Sequence, residues 1–141
     1  MDKKTYHHGN LKNAIIEKGL EIIKDNGIEN LSLRKAAERC GVSSAAPYAH
    51  FKNKDELVNS IQTYVMEQFV DFLNKSIEHS SEENILAELG RAYVMFFYRS
   101  PLYFDLLFSR RCMLIRITDQ NNSDPPFELF KQKAQEVMIP L

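Results

Sequence analysis

The sequence predicts an all-α chain, with an N-terminal three-helix unit followed by a second helical unit. Three observations predict it. Apolar residues recur at helical spacing almost throughout, and no strand-like alternation persists. Polar caps and capping-box patterns stand at the head of several of these segments. Glycine or proline stops them at the far end.

The first helix is expected over residues 11–26. Asn13, Glu17, Glu21 and Lys24 form one narrow polar stripe, and nearly everything else is apolar or small, including Ile15, Ile16, Leu20 and Ile23. Such a helix must be wrapped on most sides. Gly27 followed by Ile28 gives it a glycine stop with an apolar residue after it. Ser32 caps a second helix over about 32–40. In that helix Leu33, Ala36, Ala37 and Cys40 share a buried face, while Arg34, Lys35, Glu38 and Arg39 face out. Gly41 ends it, and the short Gly-Val-Ser linker makes the next helix start at a steep angle. Two short helices joined by such a turn describe a helix-turn-helix.

The third helix, about 44–51, contains Pro47. A proline in a helix interior costs about 3 kcal/mol. If Ser43 or Ser44 is the cap, with Ser44 the preferred choice, Pro47 falls in the first turn, whose N–H groups have no intrahelical partner. The small residues beside it would let such a helix start approach a DNA groove, with backbone N–H groups toward phosphate. Asn53-Lys-Asp-Glu56 then reads as a capping box opening a long helix, about 53–79, with Leu57, Ile61, Val65, Phe69 and Leu73 on its apolar side. Ser80-Ser-Glu-Glu83 reads as another box, ahead of Ile85, Leu89, Tyr93 and Phe97. Ser100-Pro101 breaks this segment and launches LYFDLLFSRR. DQNNSDPP, 119–126, is loop-like, and PFELFKQKAQEVM is a last helix.

Composition excludes more than it selects. The 141 residues, 44% hydrophobic and 26% charged, suit a globular chain of one domain or two small ones. No apolar run approaches a membrane helix, and no signal peptide stands behind the first lysines, so a cytoplasmic location is expected. Cys40 and Cys112 lack neighbours at ligand spacing, so no metal or cofactor is expected. No nucleophile, base and orienter gather, which argues against an enzyme. Residues 1–58 carry ten Lys/Arg against eight Asp/Glu, and residues 59–141 carry eight against eleven, so only the first part is mildly basic. This asymmetry is weak support for nucleic-acid binding there.

The run LSLRKAAERCGVSSAAPYAHFKNKDELV resembles the DNA-binding domain of TetR-type (TetR/AcrR) transcriptional regulators. The resemblance spans about residues 8–58 and rests on several spacings at once. They are a Ser-capped helix, the Gly-Val-Ser turn, the Tyr-x-His-Phe ending and a Lys-Asp-x-Leu helix opening, with Cys40 where alanine is usual. The opening Tyr-His-His-Gly-Asn-Leu and Ala-Ala-Pro-Tyr resemble the subgroup with a WHG-type C-terminal domain, and GRAYVMFFYRSPLYFDLLFS is similar to that domain's early helices. The resemblance implies a DNA-binding domain over residues 1–58 and a helical effector-binding and dimerisation domain over 59–141. Chains of the family usually continue through further helices, so this one is expected to be short at its C-terminus.

By the same resemblance, Ser32 and Arg34 match positions that touch phosphate, and Ser43, Ser44, Ala45 and Ala46 match the turn and base-facing first turn. Tyr48 and His50 match backbone-contacting positions, Lys54 matches a phosphate anchor, and Lys3, Lys4 and His7 suit an arm into an adjacent groove. Bland alternatives stay open. Tyr48 and Phe51 can seal a small core, Arg34 and Lys35 can be a solvated face, and Lys54 can simply sit near a helix start, where the macrodipole disfavours a cation. In the second part Phe69, Tyr93, Phe96, Phe97, Tyr103 and Phe104 are candidates for an effector pocket or plain core, and Arg99, Arg110 and Arg111 for an anionic effector or plain surface. The implied function is a sequence-specific, ligand-responsive repressor. It would act as a homodimer on a palindromic double-stranded DNA operator, with an unidentified small-molecule effector and no membrane partner. The rival is an all-helical protein–protein adaptor with a structural helix-turn-helix.

Overall fold

The computed structural model describes residues 10–108 and 125–138, and every regular element among them is helical. Six α-helices follow in order: α1 Leu11–Asn26, α2 Leu33–Cys40, α3 Lys54–Ile77, α4 Ile85–Arg99, α5 Pro101–Phe108 and α6 Pro125–Met138. Single-turn 3-10 segments lie at Ile28–Asn30 and Ala46–Ala49. The chain forms two compact units, residues 1–64 and 65–141. The division falls inside α3, a few residues beyond the expected boundary at 58. Lys3, Lys4, His7, Arg110, Arg111 and Cys112 lie outside the described residues.

In the first unit α1 buries Ile15, Ile16, Leu20, Ile22 and Ile23, while its polar stripe stays exposed. Helix α3 packs so close to α1 that a Cβ on Gly19 would lie 2.8 Å from Ile61 Cδ1. Gly27, at φ 81° and ψ 160°, ends α1 and donates its N–H to the Ile23 carbonyl. Ser32 caps α2 as expected, its Oγ accepting from the Lys35 N–H at 3.1 Å. Leu33, Ala36, Ala37 and Cys40 are buried. Gly41 closes α2 in the left-handed region at φ 69°. Its N–H reaches the Glu38 carbonyl and that of Val42 reaches Ala37, each at 3.1 Å, which is the paired closure of a Schellman motif. Arg39 ties α2 back to α1 through Asp25 at 2.8 Å.

Asn53 heads α3 and its Oδ1 accepts from the Glu56 N–H at 3.0 Å. The reciprocal arm differs from a standard box. Glu56 Oε2 accepts from Lys52, one residue before the cap, at 2.7 Å.

In the second unit Val65, Phe69 and Leu73 of α3 are fully buried, as are Leu89 of α4 and Leu107 of α5. The box expected at residues 80–83 does not form. The Ser81 carbonyl instead accepts from the Asn84 and Ile85 N–H groups at 2.9 and 3.1 Å, so the backbone closes a turn and the helix begins at Ile85. Asn84 is the cap, without a side-chain cap bond, and Ser80 Oγ donates back to the Ser76 carbonyl at 3.4 Å. Pro101 opens α5 as expected, with the Tyr103 N–H on the Ser100 carbonyl at 2.9 Å.

Candidate nucleic-acid interface

The surface in question is the turn from Gly41 to Lys54. The two-turn α-helix expected over 44–51 is replaced by one 3-10 turn, Ala46–Ala49, with Ala45 and not Ser44 as cap and no side-chain cap bond. The physical cause is Pro47. It has no N–H, so the Ser43 carbonyl is taken by Ala46 at 3.0 Å in a three-residue closure. Tyr48 then bonds Ala45, and His50 bonds Pro47, in the same tight pattern. Only Phe51, on the Pro47 carbonyl at 3.0 Å, makes an α-type bond. Asn53 already caps α3, so no length remains over which a helix could propagate.

Burial sorts the residues of this turn. Pro47 and Phe51 are buried and anchor it to the first unit's core. Ser43, Ser44, Ala45, Tyr48 and His50 are exposed, and Ala46 is half-buried. Tyr48 is 61% exposed, so it does not seal the core. The His50 ring lies edge-on to Phe51, centroids 6.4 Å apart.

The cationic side chains around the turn are held loosely. Arg34 reaches Glu38 at 3.3 Å, with its side chain 78% exposed. Such a pair contributes little and leaves the guanidinium free to exchange partners. Lys54 Nζ donates to the Glu29 carbonyl at 3.3 Å, which ties the start of α3 to the segment between α1 and α2. An ammonium has two further donors, so this bond does not exhaust it. Lys52, which sequence reasoning did not select, has a side chain 87% exposed and lies 3.8 Å from Glu56. Its position directly after the buried Phe51 was the signal available.

The candidate pocket residues of the second unit do meet, but as packed rings. The Phe69 centroid lies 5.1, 4.8 and 4.7 Å from those of Tyr93, Phe96 and Phe97. Phe96–Tyr103 and Phe97–Phe104 centroids are 5.6 and 5.5 Å apart. Phe69 is fully buried and Phe104 is 49% exposed. These are the tilted and edge-to-face distances of core aromatic packing. An open cleft in the first unit is lined by Ile22, Asn26, Asn30, Lys35, Glu38 and Arg39. Its guanidinium is already held by Asp25. Among the described residues no group of three or more His, Cys, Asp or Glu is placed to hold a metal, and no helix is long and apolar enough to cross a membrane.

Residues 15–61 match the model of the tetR family of bacterial regulatory proteins, a span that covers α1 from Ile15 onward, α2, the turn and the first residues of α3. Over 50 residues the chain is 44% identical to the class C tetracycline repressor protein of Escherichia coli, covering 36% of this chain and 23% of that protein. Over 67 residues it is 30% identical to the fatty acid metabolism regulator protein of Bacillus subtilis (strain 168), covering 48% and 34%. The chain thus spans about a quarter to a third of the length of these relatives. Among solved structures, a TetR-family transcriptional regulator from Haemophilus influenzae RD matches with a TM-score of 0.64 at 22% identity, over 91% of this chain and 72% of that one. A protein of unknown function from Rhodococcus sp. RHA1 matches at 0.63 and 24% identity, over 95% and 67%. These structural likenesses show the fold.

Proposed function

This chain belongs to the tetR family of bacterial regulatory proteins through residues 15–61, and from that premise we propose that it is a DNA-binding transcriptional repressor. The observation that carries the reading is the exposed Ser43–His50 turn, anchored by Pro47 and Phe51, inside the segment that matches the family. Ser43, Ser44, Ala45 and Ala46 face the bases, and we extend that set to Tyr48, which the resemblance matches to a backbone contact, because its side chain stands 61% exposed on the same turn. Ser32, Arg34, His50 and Lys54 serve the phosphates, and Lys3, Lys4 and His7 form an arm. Contacts to phosphate position the protein and contacts to base edges specify the site.

The protein works in the cytoplasm as a homodimer on a palindromic operator, its two reading turns about 34 Å apart, one turn of DNA. A small-molecule effector bound within the aromatic second unit, near Phe69, Tyr93, Phe96, Phe97, Tyr103 and Phe104, changes that separation through α3. The names of the relatives, tetracycline repressor and fatty acid metabolism regulator, support a repressor over an enzyme.

Selection of bound duplexes from a random library tests this reading, with sedimentation of the chain alone and on the selected duplex. An enriched palindrome carrying two chains supports it. Recovery of no enriched sequence overturns it and leaves a protein–protein adaptor as the better account.

A further inference from the structure

We infer that the reading turn recognises thymine through its C5-methyl group, so that the operator half-site places thymines under Ala45, Ala46 and Tyr48. The inference rests on the DNA-binding reading above and specifies what that surface reads.

The side-chain inventory of the turn carries it. Between Gly41 and Phe51 the residues are Val42, Ser43, Ser44, Ala45, Ala46, Pro47, Tyr48, Ala49 and His50. Not one is Arg, Lys, Asn, Gln, Asp or Glu. The two-pronged pairings that identify guanine (Arg, Lys) or adenine (Asn, Gln), and the carboxylate that identifies cytosine, are therefore missing from this turn. Beside the exposed Ser43 and Ser44 hydroxyls and the His50 ring, the turn instead presents methyl groups and an aromatic face. Ala45 is exposed, Ala46 half-exposed and the Tyr48 ring 61% exposed.

Two structural details sharpen this. Pro47 is buried and holds the turn in place, so the apolar set left exposed or half-exposed is Val42, Ala45, Ala46, Tyr48 and Ala49. The tight 3-10 winding also spends the Ala46, Tyr48 and His50 N–H groups on Ser43, Ala45 and Pro47 carbonyls. Those amides are not available to base acceptors. On the major-groove floor the one apolar group is the thymine C5-methyl, and alanine and aromatic side chains are its natural neighbours. Ser43, Ser44 and His50 supply hydrogen bonds that orient the turn, but a hydroxyl pairs with several bases and discriminates weakly.

The test uses the duplex selected by the full chain. Each half-site thymine is replaced in turn by deoxyuridine, which removes the methyl and keeps every hydrogen-bonding group. Loss of roughly fourfold in affinity per contacted methyl is expected. At the same positions the uridine effect should shrink toward zero in Ala45→Gly or Tyr48→Ser protein, while flanking positions keep their wild-type values. Unchanged affinity at every uridine, with a large loss on replacing guanine or adenine N7 by carbon, overturns the inference in favour of hydrogen-bond readout and leaves DNA binding intact. Selection that enriches no duplex removes the DNA-binding reading, and this inference with it.

Discussion

Lys54→Met separates the two roles that the structure leaves to one side chain. Lys54 donates to the Glu29 carbonyl at 3.3 Å, and it stands at the first position of α3 beside Asp55 and Glu56. Removing the charge forfeits one long, solvent-exposed hydrogen bond, at the low end of about 0.5–1.5 kcal/mol. It also relieves a cation at a helix N-terminus, worth about 0.3–1 kcal/mol in the opposite direction. Methionine keeps most of the stem's packing, so folding stability should change by less than about 1 kcal/mol. DNA affinity should respond quite differently. One phosphate contact contributes about 0.9 to the slope of log affinity against log salt, or about eightfold at 0.1 M salt. Urea unfolding followed by circular dichroism reads the first effect, and fluorescence anisotropy of a labelled duplex across a salt series reads the second. A stability loss above about 2 kcal/mol with an unchanged salt slope would refute the reasoning and make Lys54 a tether alone.

The remaining predictions concern the frame that holds the turn. Gly41→Ala should destabilise by about 1–2 kcal/mol, because φ is 69°, and Gly41→Asn by less, since Asn tolerates the left-handed region; equal losses in thermal melts would count against the assigned geometry. Gly19→Leu should cost several kcal/mol by overpacking against Ile61, whose Cδ1 would already lie 2.8 Å from a Cβ, and Ile61→Ala should recover part of that loss in the double variant. Burial holds the Cys40 thiol above its ordinary pKa. A thiol raised on folding contributes stability present below the unfolded value and lost as pH rises through the folded one, so the chain should weaken above about pH 9. Peptide mass mapping should find Cys40 unalkylated at pH 8 until the protein is unfolded, whereas rapid native labelling would contradict its burial.

Much of the first unit was legible because its signals are local. The polar stripe of α1, the i, i+3, i+4, i+7 face of α2, the Ser32 cap and the glycine at Gly41 each depend on a few neighbouring residues, and each is found where expected. The third helix was misjudged for a reason that is also local but competitive. The expectation that Pro47 in a first turn forfeits no bond does not hold, because its missing N–H hands the Ser43 carbonyl to Ala46 and the turn tightens. The Ser80–Glu83 pattern failed because Ser81 closes the chain with its backbone carbonyl, an alternative no spacing rule distinguishes. The Lys54–Glu29 bond joins residues 25 apart and is invisible to any window. The aromatic half defeats sequence reasoning differently. Rings at helical spacing look the same whether they stack on one another, as Phe69, Phe96 and Phe97 do, or line a pocket.

The most direct test of DNA reading is a salt titration on two duplexes, the selected operator and a scrambled version of equal composition. The account predicts affinity falling linearly on logarithmic axes for both, with the operator bound at least about a thousandfold more tightly. Equal affinity for the two duplexes, or binding indifferent to salt, would contradict it.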